Sequence, residues 1–221
     1  MDALRKLHNG CKRDLIIQWV RPGAHVLDCG CGRGGDWWKW KAAGARVTAI
    51  DPDRESLQEA MDRADTAQLP VYFLGEGTII QAAFAGPYDV VCYNFSLHYI
   101  VDDWEFSIKA IASSLDVNGL LIGITPEKAR AEAIADSRGH FQDDLGNEFD
   151  VYHGGRRLVI RLSDGPYYAD GAKDEPLLDA NLFRMEMENN GFELLMWEPM
   201  LPVPTGRISD LYSKFAFRKI K

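Results

Sequence analysis

Five apolar runs, HVLDC (25–29), RVTAI (46–50), VYFL (71–74), YDVVCY (88–93) and GLLIGI (119–124), constrain this chain most. Helical patterns lie among them: DWWKWKAAG, a stretch from Asp53 to Arg63, and another near Asp103 to Leu115. The runs are continuously apolar instead of alternating, so each strand is buried on both faces. Joined by helices, such strands form a mostly parallel sheet covered on both sides, an α/β fold. A length of 221 residues with 46% hydrophobic content suffices for one well-buried domain, taken as residues 1–221.

The flanks complete the plan. Leu4, Leu7, Cys11, Leu15, Ile16 and Trp19 recur at helical spacing, predicting an N-terminal helix over about 3–20 that Pro22-Gly23 stops. After Thr125-Pro126 the rhythm changes. Short β-like pieces (VYH, RRLVIRL) and a turn at Asp164-Gly165-Pro166 predict an antiparallel hairpin insert over about 137–175, after the fifth strand. A helix from Leu177 to Asn190 follows, then FELLMW and LYSKFAFRK as strands six and seven. Chain order places the insert over the carboxyl edge of the sheet, where folds of this kind bind ligands.

Composition excludes several functions. No apolar run approaches the ~18 residues that span a bilayer, and MDALRKLHNG lacks a signal-peptide core, so no membrane association and a reducing, intracellular setting are expected. Cys29 and Cys31 are too close for a relaxed disulfide, and Cys11, Cys29, Cys31 and Cys92 lack zinc-site spacing; no metal is expected. A net charge of −8 argues against a protein that grips long nucleic acid through many phosphates. It leaves room for a single nucleotide end, with Lys12-Arg13, Lys39 with Lys41, and Arg156-Arg157 as local cations.

The chemistry-bearing stretch is VLDCGCGRGGDWWKWK (26–41), in which Gly30, Gly32 and Gly35 read as G-x-G-x-x-G after a strand. A dinucleotide site would hold a pyrophosphate at that turn. Asp28, two residues before the first glycine, would face its negative charge. A cationic cofactor with an amino-acid end removes the conflict, so Asp28 points to S-adenosylmethionine, whose ammonium it can accept. Gly30 and Gly32 then allow close backbone approach to the methionine portion. Asp51, ending RVTAID, is placed for two ribose hydroxyls, while Asp36 starts a helix that it can cap while orienting the ammonium. Trp37, Trp38 and Trp40, at helical spacing, read as core and rim packing. VYFLGEGTII lacks an acid pair for adenine, leaving Glu76 or a backbone N–H near Gly77 as alternatives.

D-C-G-C-G-R-G-G-D resembles the class I methyltransferase motif in the form found in messenger RNA cap guanine-N7 methyltransferases, with Arg33 where that family usually has Lys. The likeness runs almost end to end. L-R-K-L-H-N-G-C-K is similar to the family's first helix, matching Asn9 and Lys12. N-F-S-L-H-Y (94–99), G-I-T-P (123–126), D-E-P-L-L-D (174–179) and D-L-Y-S-K-F-A-F resemble later family segments. F-Q-D-D-L-G-N-E-F is also similar, with a wider Phe-to-Gly gap. The resemblance implies a Rossmann-like seven-stranded fold, transfer of methyl from S-adenosylmethionine to guanine N7 of a 5′ cap (GpppN), and S-adenosylhomocysteine as product. It also implies cofactor contacts at Lys12, Asp28, Gly30, Gly32, Asp36, Asp51, Asn94 and Phe95. Cap contacts fall to Asn9, Arg33, His98, Tyr99, Pro126, Glu175 and Tyr212, with Tyr167 or Tyr168 as an aromatic contact. Pro176 after Glu175 departs from the family's usual aromatic residue.

Guanine N7 carries a lone pair and no proton, so methylation there needs positioning instead of a general acid or base; Phe95, His98 and Tyr99 would supply it. Partners implied are capped RNA and a guanylyltransferase or triphosphatase of a capping apparatus. A compact viral enzyme and a domain of a larger capping protein, nuclear or in a cytoplasmic viral factory, both fit. Two alternatives stay open: a class I methyltransferase for another base or a small molecule, and a non-catalytic subunit that keeps the fold.

Overall fold

A computed structural model describes residues 3–163 and 171–221. Tyr167, Tyr168 and the expected turn at Asp164-Gly165-Pro166 lie outside the described residues. Helix α1 (Ala3–Trp19) leads into β1 (His25–Cys29), α2 (Trp37–Ala43), β2 (Arg46–Asp51), α3 (Arg54–Ala67) and β3 (Val71–Glu76). Next come α4 (Ile79–Ala82), β4 (Tyr88–Asn94), a 3-10 segment (Leu97–Asp103), α5 (Trp104–Ser114) and β5 (Leu115–Pro126). The seven-stranded sheet is completed by β10 (Phe192–Pro199) and β11 (Tyr212–Lys219), in the order β10-β11-β5-β4-β1-β2-β3. Strands β1 to β5 are parallel and β11 runs antiparallel between β5 and β10.

Alternate side chains of β1 show why the runs are continuously apolar. Val26 packs with Ile16, Trp37, Trp40 and Ala60 under α1, α2 and α3, whereas Leu27 and Cys29 pack with Ile108, Ile111, Phe183 and Phe217 under α5 and α7 (Ala180–Asn189). Either face therefore removes apolar surface from water, at about 25 cal/mol per Å² buried. The strands end together on one edge, bringing Asp28, Asp51, Asn94 and Pro126 to the same side of the sheet.

Between β5 and α7 the chain builds more than the expected hairpin. After α6 (Lys128–Ile134), β6 (His140–Gln142), β7 (Glu148–Tyr152), β8 (Arg157–Arg161) and β9 (Lys173–Pro176) form a four-stranded antiparallel sheet. Glu175 lies on β9, paired with Leu158 of β8, and not at a helix start. Helix α7 begins three residues later than the sequence predicts because Leu178 bridges Glu127 and accepts from the Lys128 N–H. Asp179 then caps the helix, accepting from the Asn181 and Leu182 N–H groups. Helix α3 runs four residues past Arg63, since Ala64 and Ala67 continue its buried face. The two sheets meet through Phe149, Leu158, Ile160, Leu177, Ile124, Leu211 and Tyr212, one continuous apolar cluster. No helix among the described residues is long and apolar enough to cross a membrane.

Candidate active site

The glycine turn is bound to the end of the neighbouring strand. The N–H groups of Gly30 and Cys31 donate to the Ile50 carbonyl at 2.8 and 3.2 Å, and Gly32 N–H donates to Asp51 Oδ2 at 2.7 Å. Gly30 has φ +70°, and a Cβ there would lie 2.6 Å from Ser96 Cβ, so the position requires glycine. Ser96 closes the turn from the other side, its Oγ donating to the Cys29 carbonyl at 2.7 Å. At Gly32 an added Cβ would point into open space, leaving a cradle beside the turn.

Three carboxylates surround that cradle. Asp51 also accepts from the Asp53 N–H at 2.9 Å; burial raises its pKa and these two backbone donors oppose the rise. Asp28 is 3% exposed, and burial first, then the charge of Asp36, push it up to about 7 against the pull of its bond from Trp40. That bond runs from Trp40 Nε1 to Asp28 Oδ2 at 2.8 Å. Asp36 takes the cations instead. Lys12 and Lys39 each lie 2.7 Å from its Oδ1, and Asn94 Nδ2 donates to Oδ2 at 3.1 Å. Burial alone would raise Asp36; Lys12 and Lys39 more than reverse this and hold it well below the usual carboxylate range.

Asp36 therefore makes no side-chain cap to α2, contrary to expectation. Its oxygens are occupied by partners from α1, α2 and β4. Asn9, assigned from the sequence to the cap side, joins this network, its Oδ1 accepting from Lys39 Nζ at 2.9 Å. Arg33 points away toward α3, pairing with Glu59 at 3.2 Å. Trp37 and Trp40 are buried and Trp38 is 62% exposed, as core and rim packing requires.

A second constellation lies across the same edge. Phe95, at φ +65°, anchors its N–H on the Ile124 carbonyl at 2.7 Å and sets its ring 4.9 Å from Tyr212, edge to face. Tyr212 in turn stands opposite Pro126 in the β11–β5 ladder. From the 3-10 segment, Tyr99 Oη donates to Glu175 Oε1 at 3.2 Å, and buried His98 places Nε2 3.5 Å from Glu175 Oε2. Residues far apart in sequence thus come together in two groups: His98 and Tyr99 with Glu175, and Phe95 with Tyr212 and Pro126, the Phe95 ring lying 5.9 Å from Lys12 Nζ, which pairs with Asp36. Glu76 faces Arg54 on the exposed rim, at 3.5 Å.

His8 was not anticipated. Its ring stacks on Phe95 at 5.1 Å and meets Tyr212 edge-on at 5.5 Å, with Nε2 2.9 Å from Ser209 Oγ. The one sequence signal was its place one turn before Lys12 on the same helix.

Several observations fit a nucleoside cofactor with an amino-acid end. A buried carboxylate bonded by a neutral indole N–H (Asp28), a strand-end carboxylate held by backbone donors (Asp51) and the open cradle at Gly32 supply the required groups. Asn94 Oδ1 adds a buried acceptor with no hydrogen-bond partner. Among the described residues, no group of three or more His, Cys, Asp or Glu could hold a metal ion.

Comparison with known proteins agrees. Residues 26–119 match a family described as "Methyltransferase domain". The mRNA cap guanine-N(7) methyltransferase of Saccharomyces cerevisiae is 33% identical over 140 residues, covering 56% of this chain and 32% of that protein. A probable mRNA-capping enzyme of Acanthamoeba polyphaga mimivirus is 27% identical over 157 residues, covering 54% of this chain and 13% of that protein. The chain spans about a third of the length of the first of these curated relatives. A putative S-adenosylmethionine-dependent methyltransferase from Listeria monocytogenes superposes with TM-score 0.70 at 17% identity, over 98% of this chain and all of that one. The fold is that of class I methyltransferases, and the resemblance to the cap guanine-N7 enzymes read from the sequence holds.

Proposed function

We propose that this chain, a methyltransferase-fold protein with cap guanine-N7 methyltransferases among its relatives, acts as one domain that methylates guanine N7 of a 5′ RNA cap. The observation that carries the reading is the convergence of Tyr99 and His98 on Glu175, next to the turn flanked by Asp28 and Asp51. S-adenosylmethionine, when bound, supplies an electrophilic methyl group on a cationic sulfur. Asp28 and Asn94 would hold its ammonium, Asp51 its ribose, and Gly30 and Gly32 its close-packed chain. Lys12 and Lys39 fix Asp36 at the same end.

On the acceptor side, Glu175 accepts from the N1–H and amino group of guanine, so the base is held by its Watson–Crick edge. Its carboxylate is oriented before the base arrives, through the Tyr99 hydroxyl. Phe95, Tyr212 and Pro126 form apolar walls that exclude water. N7 has no proton to lose, so these residues act by fixing the angle of approach, a contribution that can reach several kcal/mol. Capped RNA is then the partner. Other domains of a capping apparatus fit a chain that spans a third of its first relatives.

The test is methyl transfer from labelled S-adenosylmethionine to GpppA, with the product identified as N7-methylated by nuclease digestion and mass spectrometry. Cofactor binding without an N7-methylated cap would favour methylation of another base or a small molecule. No binding of S-adenosylhomocysteine by folded protein would favour a non-catalytic subunit.

A further inference from the structure

Two buried carboxylates face each other across the start of α2, and their partners differ. Asp36 gathers Lys12, Lys39 and Asn94; Asp28 receives the neutral indole N–H of Trp40. Trp40 sits one turn beyond Asp36, with its backbone N–H on the Asp36 carbonyl at 3.0 Å, so a single helical turn presents both. Its side chain is fully buried among Ile16, Val26, Trp37 and Val90, which leaves the indole no freedom to turn.

A donor without charge has a specific effect here. A lysine at this place would neutralise Asp28 and compete with any incoming cation. An indole N–H orients the carboxylate, favours its ionised form, and leaves its charge to be met by a ligand.

We propose that Trp40 is a positioning residue for the methyl donor: its indole N–H fixes Asp28 by Oδ2 and leaves Oδ1 to meet the ammonium of the cofactor. The role rests on the cofactor reading given under the proposed function. The other groups facing Asp28 are Asp36 just before α2, Lys39 of α2, Lys12 of α1, Asp51 at the end of β2, and Cys29, Cys31 and Cys92. Replacing Trp40 touches none of these charges. A change in the titration of the site then reports the lost N–H.

Trp40→Phe keeps an aromatic ring in the core and deletes the donor. S-adenosylhomocysteine affinity is measured by calorimetry from pH 6 to 9, with thermal unfolding of the ligand-free protein over the same range. The parent is expected to bind more weakly as pH falls and Asp28 takes up a proton. In the variant that limb moves to higher pH, so affinity drops about tenfold near pH 7 and recovers toward the parent at pH 9. In the ligand-free variant, the loss of stability relative to the parent should grow with pH. An equal loss of affinity at every pH would mean that Trp40 only fills space and would overturn the proposal.

Should the variant not fold, the parent labelled with 15N in its indoles gives a second reading. One indole N–H signal should move along the same acid limb and lose that response in Asp28→Asn; indole signals indifferent to pH would refute the role. A parent that binds no S-adenosylhomocysteine would overturn the cofactor reading together with this one. A parent that binds, beside a variant with an unshifted limb, would overturn the role of Trp40 alone.

Discussion

Asp28→Asn should make the ligand-free protein more stable at pH 8 while removing most of its affinity for the cofactor. The carboxyl of Asp28 is raised from 3.8 to about 7, chiefly by burial and secondly by Asp36. A raised carboxyl pKa means that the folded state holds a proton the unfolded chain has released. Stability accordingly falls as pH rises from about 4 to about 7, and the full penalty remains above that. At about 1.4 kcal/mol per pK unit, ionised Asp28 costs up to about 4 kcal/mol at pH 8. The amide recovers part of this, since its oxygen can still accept from Trp40 while its NH2 introduces a donor that costs about 1–2 kcal/mol if unsatisfied. A net gain of about 2 kcal/mol, or about 4–8 °C in a chain of this size, is expected at pH 8; because the amide does not titrate, the gain vanishes at about pH 5 and becomes a loss of about 2 kcal/mol near pH 4. Urea unfolding at pH 4.5, 6 and 8, with S-adenosylhomocysteine titrations at the same pH, measures both effects. A variant less stable than the parent at pH 8, or a gain that does not change with pH, would refute the reasoning.

Other perturbations separate the parts of the site. Asp36→Asn strands Lys12 and Lys39 against each other and should destabilise the protein by about 2–4 kcal/mol at neutral pH. Because the Asp36 pKa is lowered, its contribution is present above about pH 4 and lost on further acidification, so denaturation curves of parent and variant should converge toward pH 2. Tyr99→Phe deletes the bond to Glu175 and should raise KM for GpppA about three- to tenfold, with S-adenosylhomocysteine affinity unchanged by calorimetry. Gly30→Ala combines a left-handed φ with a 2.6 Å clash on Ser96; differential scanning should show a loss of about 2–4 kcal/mol, and cofactor affinity should fall with it.

The parts that were legible in the sequence are those set by burial on two faces. HVLDC, RVTAI and YDVVCY admit few other structures, and Asp28 and Asp51 follow once those strands lie side by side. The antiparallel sheet was only half visible. Strands β6 and β9 are three and four residues long and rich in polar side chains, so they gain their identity from partners across the ladder. Leu177 and Leu178 extend the apolar pattern of α7 backwards, yet Leu177 is buried between the two sheets, Leu178 packs in the core with Phe183 and Phe215, and neither takes part in the helix. Asp36 shows the same limit at one residue: an acid at a helix start ordinarily caps it, and Lys39 one turn on, with Lys12 brought by packing from α1, outweighs that tendency. The bond from Trp40 to Asp28 depends on how α2 lies over β1, which no spacing reveals.

Of the groups assigned to the site, Glu175 is the one carried by the antiparallel sheet. Donor-side groups, from Asp28 to Asn94, stand on the parallel strands and the helices over them, whereas Glu175 comes from the antiparallel sheet and reaches Tyr99 across the joint. Substitutions on β8 and β9 can therefore shift Glu175 without disturbing the carboxylates opposite. In a molecule assembled this way, the carboxylate of Glu175 can be retuned from its own sheet while Asp28, Asp36 and Asp51 keep their places.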